Sequence, residues 1–192
     1  MSNPNQAFGL RYIGTLSGAP VTGKLRKVAI ASNYGVALFP GDPVLISGTS
    51  QADGQGSGDI LPTVVLATAA STNYISGVLV SRCVDKADDT TYLPATTGGY
   101  FLMTDDPFAL FEIQCDDQAA ITDVGNTASL VLGAGSTALG LSGWQLDEST
   151  VGSGTQLTVQ GFRQSDRNDL TSAYPVALVT INQHQALHTT GV

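Results

Sequence analysis

Short apolar runs rich in Val, Leu and Ile recur along the chain, each too brief for a helix and each bounded by Gly, Pro, Asn, Asp or Ser. Between Ala37 and Val80 the sequence reads ALFPGDPVLISG, then a Gly/Asp/Gln/Ser loop, then ILPTVVLA and YISGVLV. Pro40-Gly41-Asp42-Pro43 is a turn. Each proline fixes its own φ and pushes the preceding residue toward an extended conformation, while Gly41 supplies a permissive one. This stretch predicts an antiparallel meander whose apolar faces need the rest of the chain to cover them.

The same pattern continues on both sides. Lys24 to Ile30 (KLRKVAI) sets Leu25, Val28 and Ile30 among polar positions, as a half-buried strand does, and Val36 to Phe39 and Val44 to Ile46 flank the proline turn. Gly48 to Asp59 is a low-complexity surface loop. Ile60 to Ala67 and Ile75 to Cys83 are strands, and Tyr100 to Met103 with Ala109 to Cys115 form a pair interrupted by Asp105-Asp106-Pro107. Residues 116–125 hold the one plausible helical turn. Ala128 to Leu132, Leu157 to Phe162 and Val176 to Ile181 complete about ten strands at spacings of roughly 8 to 15 residues. The fold class is therefore all-β, an antiparallel sandwich or barrel, with two related small barrels also open.

Residues 1–23 carry Pro4, Pro20, four glycines and no helical period. They read as an extended N-terminal arm with scattered anchors at Phe8, Leu10, Tyr12 and Ile13; the alternative is that these anchors fold back onto the chain's own barrel. Residues 24–192 form the β-rich body, with two packed halves at about 24–118 and 119–192 as a further possibility.

Composition sharpens this picture. Charged residues are 12% of the 192, against about 25% in an average soluble protein, so much of the surface is neutral and suits burial in an assembly. Residues 1–41 carry +4 from Arg11, Lys24, Arg26 and Lys27, and the remainder carries −12, giving the net −8. A basic arm on an acidic body points to docking on something acidic, but four spaced charges do not make a nucleic-acid patch. Cys83 and Cys115 lie in apolar runs and read as buried thiols of a reducing compartment rather than a disulfide. The N-terminus lacks the features of a signal peptide, and no apolar run approaches a membrane span, so neither secretion nor a membrane partner is expected.

Candidate chemistry is weak throughout. Gly133 to Ala138 matches a dinucleotide fingerprint, but no helical period follows to hold a pyrophosphate. His184 and His188 have i, i+4 spacing but no third ligand. The acidic groups Asp85/Asp88/Asp89, Asp105/Asp106 and Asp116/Asp117/Asp123 lack calcium-loop spacing and read as turn formers. No cofactor, no metal and no enzymatic activity is expected.

The segments NPNQAFGLRYIGTLSGAP, GDPVLISG, ISGVLV, DDPFALFEIQ, TDVGNTASLVLGAGSTALGLSGWQLD and VTINQHQ resemble small head proteins of tailed bacteriophages, the cement or decoration proteins, over nearly the whole chain. The resemblance implies a β-rich structural protein, jelly-roll-like or built from SH3-like small barrels, folded and assembled in the host bacterial cytoplasm. It implies binding to the outer surface of the capsid, between subunits of the major capsid protein, as a homodimer or homotrimer that stabilises the mature head. Phe8, Leu10, Arg11, Tyr12, Lys24, Arg26 and Lys27 are then the expected contacts to capsid protein or to a neighbouring copy. A glycan- or calcium-binding virion surface module and a head or tail fibre component are the alternatives.

Overall fold

A computed structural model describes residues 3–18, 25–54, 58–69, 73–84 and 90–187. The expected all-β class holds. The strands are β1 (Arg11–Thr15), β2 (Leu25–Ile30), β3 (Pro43–Ala52), β4 (Ile60–Leu66), β5 (Gly77–Cys83), β6 (Gly99–Thr104), β7 (Ala109–Gln114), β8 (Thr127–Leu132), β9 (Trp144–Asp147), β10 (Leu157–Phe162) and β11 (Val176–Ile181). Among the described residues helix is limited to single 3-10 turns, one of which, Ile121–Asp123, falls within the stretch expected to turn helically.

Strands β2-β4-β3-β5-β6 close into a barrel, with β6 returning antiparallel to β2 from Leu25 opposite Thr104 to Ile30 opposite Gly99. Its interior is filled by Val28, Leu38, Val64, Leu79, Phe101 and Met103. The remaining strands form a six-stranded sheet in the order β1-β7-β11-β10-β8-β9. That sheet curls until its far edge meets β7 again: Cys115 bridges Leu146, and the Asp116 N–H donates to the Leu146 carbonyl at 3.0 Å. Alternation sets the core of this second unit, with Phe111 and Ile113 of β7, Leu157 and Val159 of β10, and Ala177 and Val179 of β11 all turned inward around Trp144.

Several elements differ from expectation. Arg11–Thr15 is not a free arm but a sheet strand, pairing antiparallel with β7. Burial of Leu10, 1% exposed, and the facing of Arg11 with Glu112 hold it there. The units also divide elsewhere than at residue 118. Strand β6 pairs with β2 and β5, whereas β7 pairs with β1 and β11, so the Asp105-Asp106-Pro107 turn carries the chain between units instead of closing a hairpin. The Asp106 carboxylate accepts the Phe108 N–H at 2.9 Å and fixes that turn. Part of the expected Gly48–Asp59 loop is strand, since β3 resumes its pairing with β4 at Ser50 after an irregularity that Gly48, at φ +78°, makes possible. Val36 to Phe39 holds only one bridge, Leu38 to Leu93. Strand β9 arises where only a connection was expected.

The units share one seam. Leu10, Ala67, Ile75 and Val78 belong to the core of the second unit although three of them come from the barrel's segment of chain. The Leu10 N–H donates to the Gly41 carbonyl at 2.9 Å, and the Gly41 N–H to the Leu79 carbonyl at 2.7 Å. Gly9 (φ +70°) and Gly41 (φ +94°) both occupy left-handed conformations, and a Cβ on either would strike the other segment's backbone. Next to them Asp42 is buried, its carboxylate accepting the Phe39 N–H at 2.8 Å. Burial pushes this carboxyl from 3.8 up to about 7, against the hydrogen bonds from Ser142 and Phe39, which lower it.

Two outcomes follow for the seam. Gly41→Ala combines left-handed strain with a backbone clash and is expected to cost about 3 kcal/mol or more in urea unfolding. Asp42 keeps a proton in the native state that the unfolded chain releases. Its contribution is therefore full below the ordinary carboxyl value and is lost as pH rises through the folded value of about 7. Between about pH 5 and pH 7 the protein should lose about 2 kcal/mol relative to Asp42→Asn, which keeps an acceptor for Phe39 but does not ionise. Parallel pH dependences of the two proteins would contradict this.

Candidate functional site

Residues 3–16 form a strap across the molecule, and its polar clasps are specific. The Asn3 amide donates to the carbonyls of Asp169 (2.8 Å) and Ala173 (3.1 Å) and accepts the Asp169 N–H (3.1 Å). The buried Gln114 side chain donates to the carbonyls of Pro4 (2.8 Å) and Tyr174 (3.2 Å) and accepts the Gln6 N–H (3.0 Å). Tyr174 holds φ at +67°, a left-handed conformation costing a non-glycine residue about 1 kcal/mol, and this clasp holds its carbonyl in place.

Along the strap lies a groove in two parts. The apolar part, about 530 Å³, is lined by Phe8, Leu10, Tyr12, Leu25, Pro40 and Leu79 among others, and so runs between β1 and the barrel. The polar part, about 310 Å³, is lined by residues that include Arg11, Arg163, Arg167, Asn168 and Tyr174. Gln6, Phe8 and Arg11 line both, and the Arg11 guanidinium stacks 4.8 Å from the centre of the Phe8 ring. Behind the polar part, Glu112 accepts two bonds from Arg163, each 2.9 Å, and is also gripped by Arg11 through Nε at 3.0 Å and through Nη2. Glu112 is buried while both arginine side chains are about half exposed, so the carboxylate is desolvated against two cations that still reach solvent.

The expected contact residues separate into groups. Phe8, Leu10, Arg11 and Tyr12 line the groove, with Leu10 at its floor and Tyr12 packed against Phe111 at 5.9 Å. Arg26 and Lys27 lie on β2 and are paired, Arg26 with Asp105 at 3.4 Å and Lys27 with Asp53 at 3.2 Å, Lys27 also sitting over Tyr100. Lys24 lies outside the described residues, as do Asp85, Asp88, Asp89 and His188. Sequence reasoning missed Glu112, Gln114, Arg163, Arg167 and Tyr174. One signal was available: Glu112 is one of only two glutamates and sits in the otherwise apolar run ALFEI, where a charge needs a partner.

The other patterns resolve into structure. Asp116 accepts the Glu148 N–H at 2.9 Å and Asp117 the Gln118 N–H at 2.8 Å, as turn formers do. Among the described residues no group of three or more His, Cys, Asp or Glu is placed to hold a metal ion, and no helix is long and apolar enough to cross a membrane. No helix starts at Gly133 to Ala138, where Ser136 instead bridges Leu141. His184 is buried, which lowers its imidazole below the ordinary value. Cys83 and Cys115 form no disulfide, and burial, with Asp116, Glu148 and Asp123 nearby, pushes the Cys115 thiol up to about 12. No family model, no curated protein and no solved structure matches this chain.

Glu112→Gln removes the charge that both guanidinium groups share. With those groups half exposed, the expected loss of stability is about 1–2 kcal/mol. In a double-mutant cycle with Arg163→Met by urea unfolding, a coupling of about 1 kcal/mol is expected, and strict additivity would mean that the pair contributes nothing.

Proposed function

We propose that this protein is a structural component of a tailed-bacteriophage head, bound to the outer surface of the capsid between major capsid protein subunits, where it stabilises the mature shell. The sequence segments that resemble cement and decoration proteins supply the identity of the partner. The observation that carries the reading is the groove along the strap: an open apolar trough continuous with a guanidinium-lined pocket, on a body with few charges. A segment of capsid protein lying in that trough would bury Phe8, Tyr12 and Leu25 at little cost in desolvated charge.

The mechanism is mechanical rather than chemical. Each copy docks one segment, and many copies around a closed shell convert modest individual contacts into a large collective resistance to expansion and rupture. Neighbouring copies, as dimers or trimers, would add to this by contacting one another.

Co-sedimentation with expanded and unexpanded shells of the matching capsid protein tests the reading. Saturable binding to expanded shells at a fixed ratio to capsid protein is expected. Leu25→Asp, at an exposed position on the groove wall, should weaken that binding at least about tenfold while shifting unfolding by about 0.5 kcal/mol or less. Absence of binding to either shell would overturn the proposal.

A further inference from the structure

We infer that the polar end of the groove is a carboxylate-binding site that takes an Asp or Glu side chain flanked by apolar residues on the docking protein segment. The inference rests on the groove being a docking surface for protein.

Charge comes first. Three of the eight basic side chains, Arg11, Arg163 and Arg167, line this one cavity, while the chain as a whole carries −8. The carboxylate behind them, Glu112, neutralises one, and three less one leaves +2 in the pocket. Glu112 takes up Nε and Nη2 of both Arg11 and Arg163 and leaves Nη1 of each. Arg167 is exposed and has no ion pair among the described residues, whereas Arg26 and Lys27 have carboxylates and Arg82 donates to the carbonyls of Thr90 and Tyr92. The nearby loop acids do not fill the pocket. Neither Asp166 nor Asp169 lines it, and Asp169 is held by Thr171 and Ser172.

Several neutral side chains of the pocket are already committed, Asn3 to Asp169 and Ala173 among them. Asn168 donates to the carbonyls of Arg163 and Val176, each at 3.0 Å, and accepts the Val176 N–H at 2.7 Å; Gln114 is spent on the strap and Tyr174. The charged donors left for a ligand are guanidinium N–H groups, which favour an anion. The same clamps fix the backbone at Arg163, so little ordering is required when a ligand arrives.

Continuity decides which anion. Gln6, Phe8 and Arg11 border both parts of the groove, so a ligand with a carboxylate beside apolar side chains fills both, while a free oxyanion fills only one. A polyanion would meet the field of a protein carrying −8.

The test uses the full-length ¹⁵N-labelled protein, following the arginine Nε–H resonances during titration with acetyl-Leu-Asp-Leu-Leu-amide, its Asn analogue and inorganic phosphate. The Asp peptide should shift the Arg11, Arg163 and Arg167 signals saturably, and Arg167→Ala, at an exposed side chain, should weaken it about tenfold without unfolding the protein. Equal binding of the Asn peptide would leave groove docking standing and overturn the carboxylate assignment. Phosphate binding as tight as the Asp peptide's would overturn the acidic-segment assignment in favour of a simple anion site. Binding of none of the three would overturn both the carboxylate site and the docking surface it rests on.

Discussion

The whole arrangement depends on a close approach of two backbones. Where Gly9 passes Gly41 there is no room for a side chain on either, and the hydrogen bond from Leu10 to the Gly41 carbonyl fixes the spacing. That contact sets the strap against the rim of the barrel, delivers Leu10 to the core of the second unit and starts β1 in register with β7. The groove is the space left beside this crossing. Its walls come from both units, so its shape depends on how firmly the seam holds them.

Uncharged polar side chains add to the backbone hydrogen bonds and apolar contacts of that seam. Gln156, fully buried, donates to the Thr68 carbonyl at 3.0 Å and accepts the Leu130 N–H at 3.1 Å, joining the barrel's segment to the sheet much as Gln114 joins the strap to it. Amides suit this use because each offers donor and acceptor at once and carries no charge to desolvate. A buried network of satisfied amides specifies one relative placement of the two units, since a shifted placement would strand several donors together. In the groove, by contrast, an ion-pair cluster does the holding: Glu112 lets two guanidinium groups approach each other without repulsion prevailing.

Local signals carried most of the strand reading. The apolar run in ALFEIQ, the β-branched run in VALVTI and the proline turn at Pro40 to Pro43 each mark their element within a few residues. What could not be read locally was partnership. Whether Arg11 to Thr15 is an arm or a strand depends on Glu112 and Phe111, far away in sequence, and the pairings of β6 and β7 with other strands could not be inferred from their adjacency. Strand β9 was missed because its four residues, WQLD, lie among Gly, Ser and Thr and pair only with help from Ser129 to Leu132. Within the groove, Phe8, Leu10, Arg11 and Tyr12 were legible as anchors. Arg163 and Arg167 were not, because a fold is needed to bring them next to Arg11.

Strand order also imposes a timetable. The barrel strands run continuously from residue 25 to residue 104, so everything needed to close it has been synthesised before β7 begins. The second unit has no such independence. Its first strand must wait for a partner 101 positions downstream, and β11, which lies between β7 and β10, is the last strand made. Until then Ala67, Ile75 and Val78, destined for the second core, have no cover, and the early N-terminal segment has nothing to pair with. Long-range pairing of this kind is slow relative to local closure. The strands of the barrel are thus complete in sequence well before those of its neighbour, and the polar part of the groove gains its last wall, Val176, only with β11.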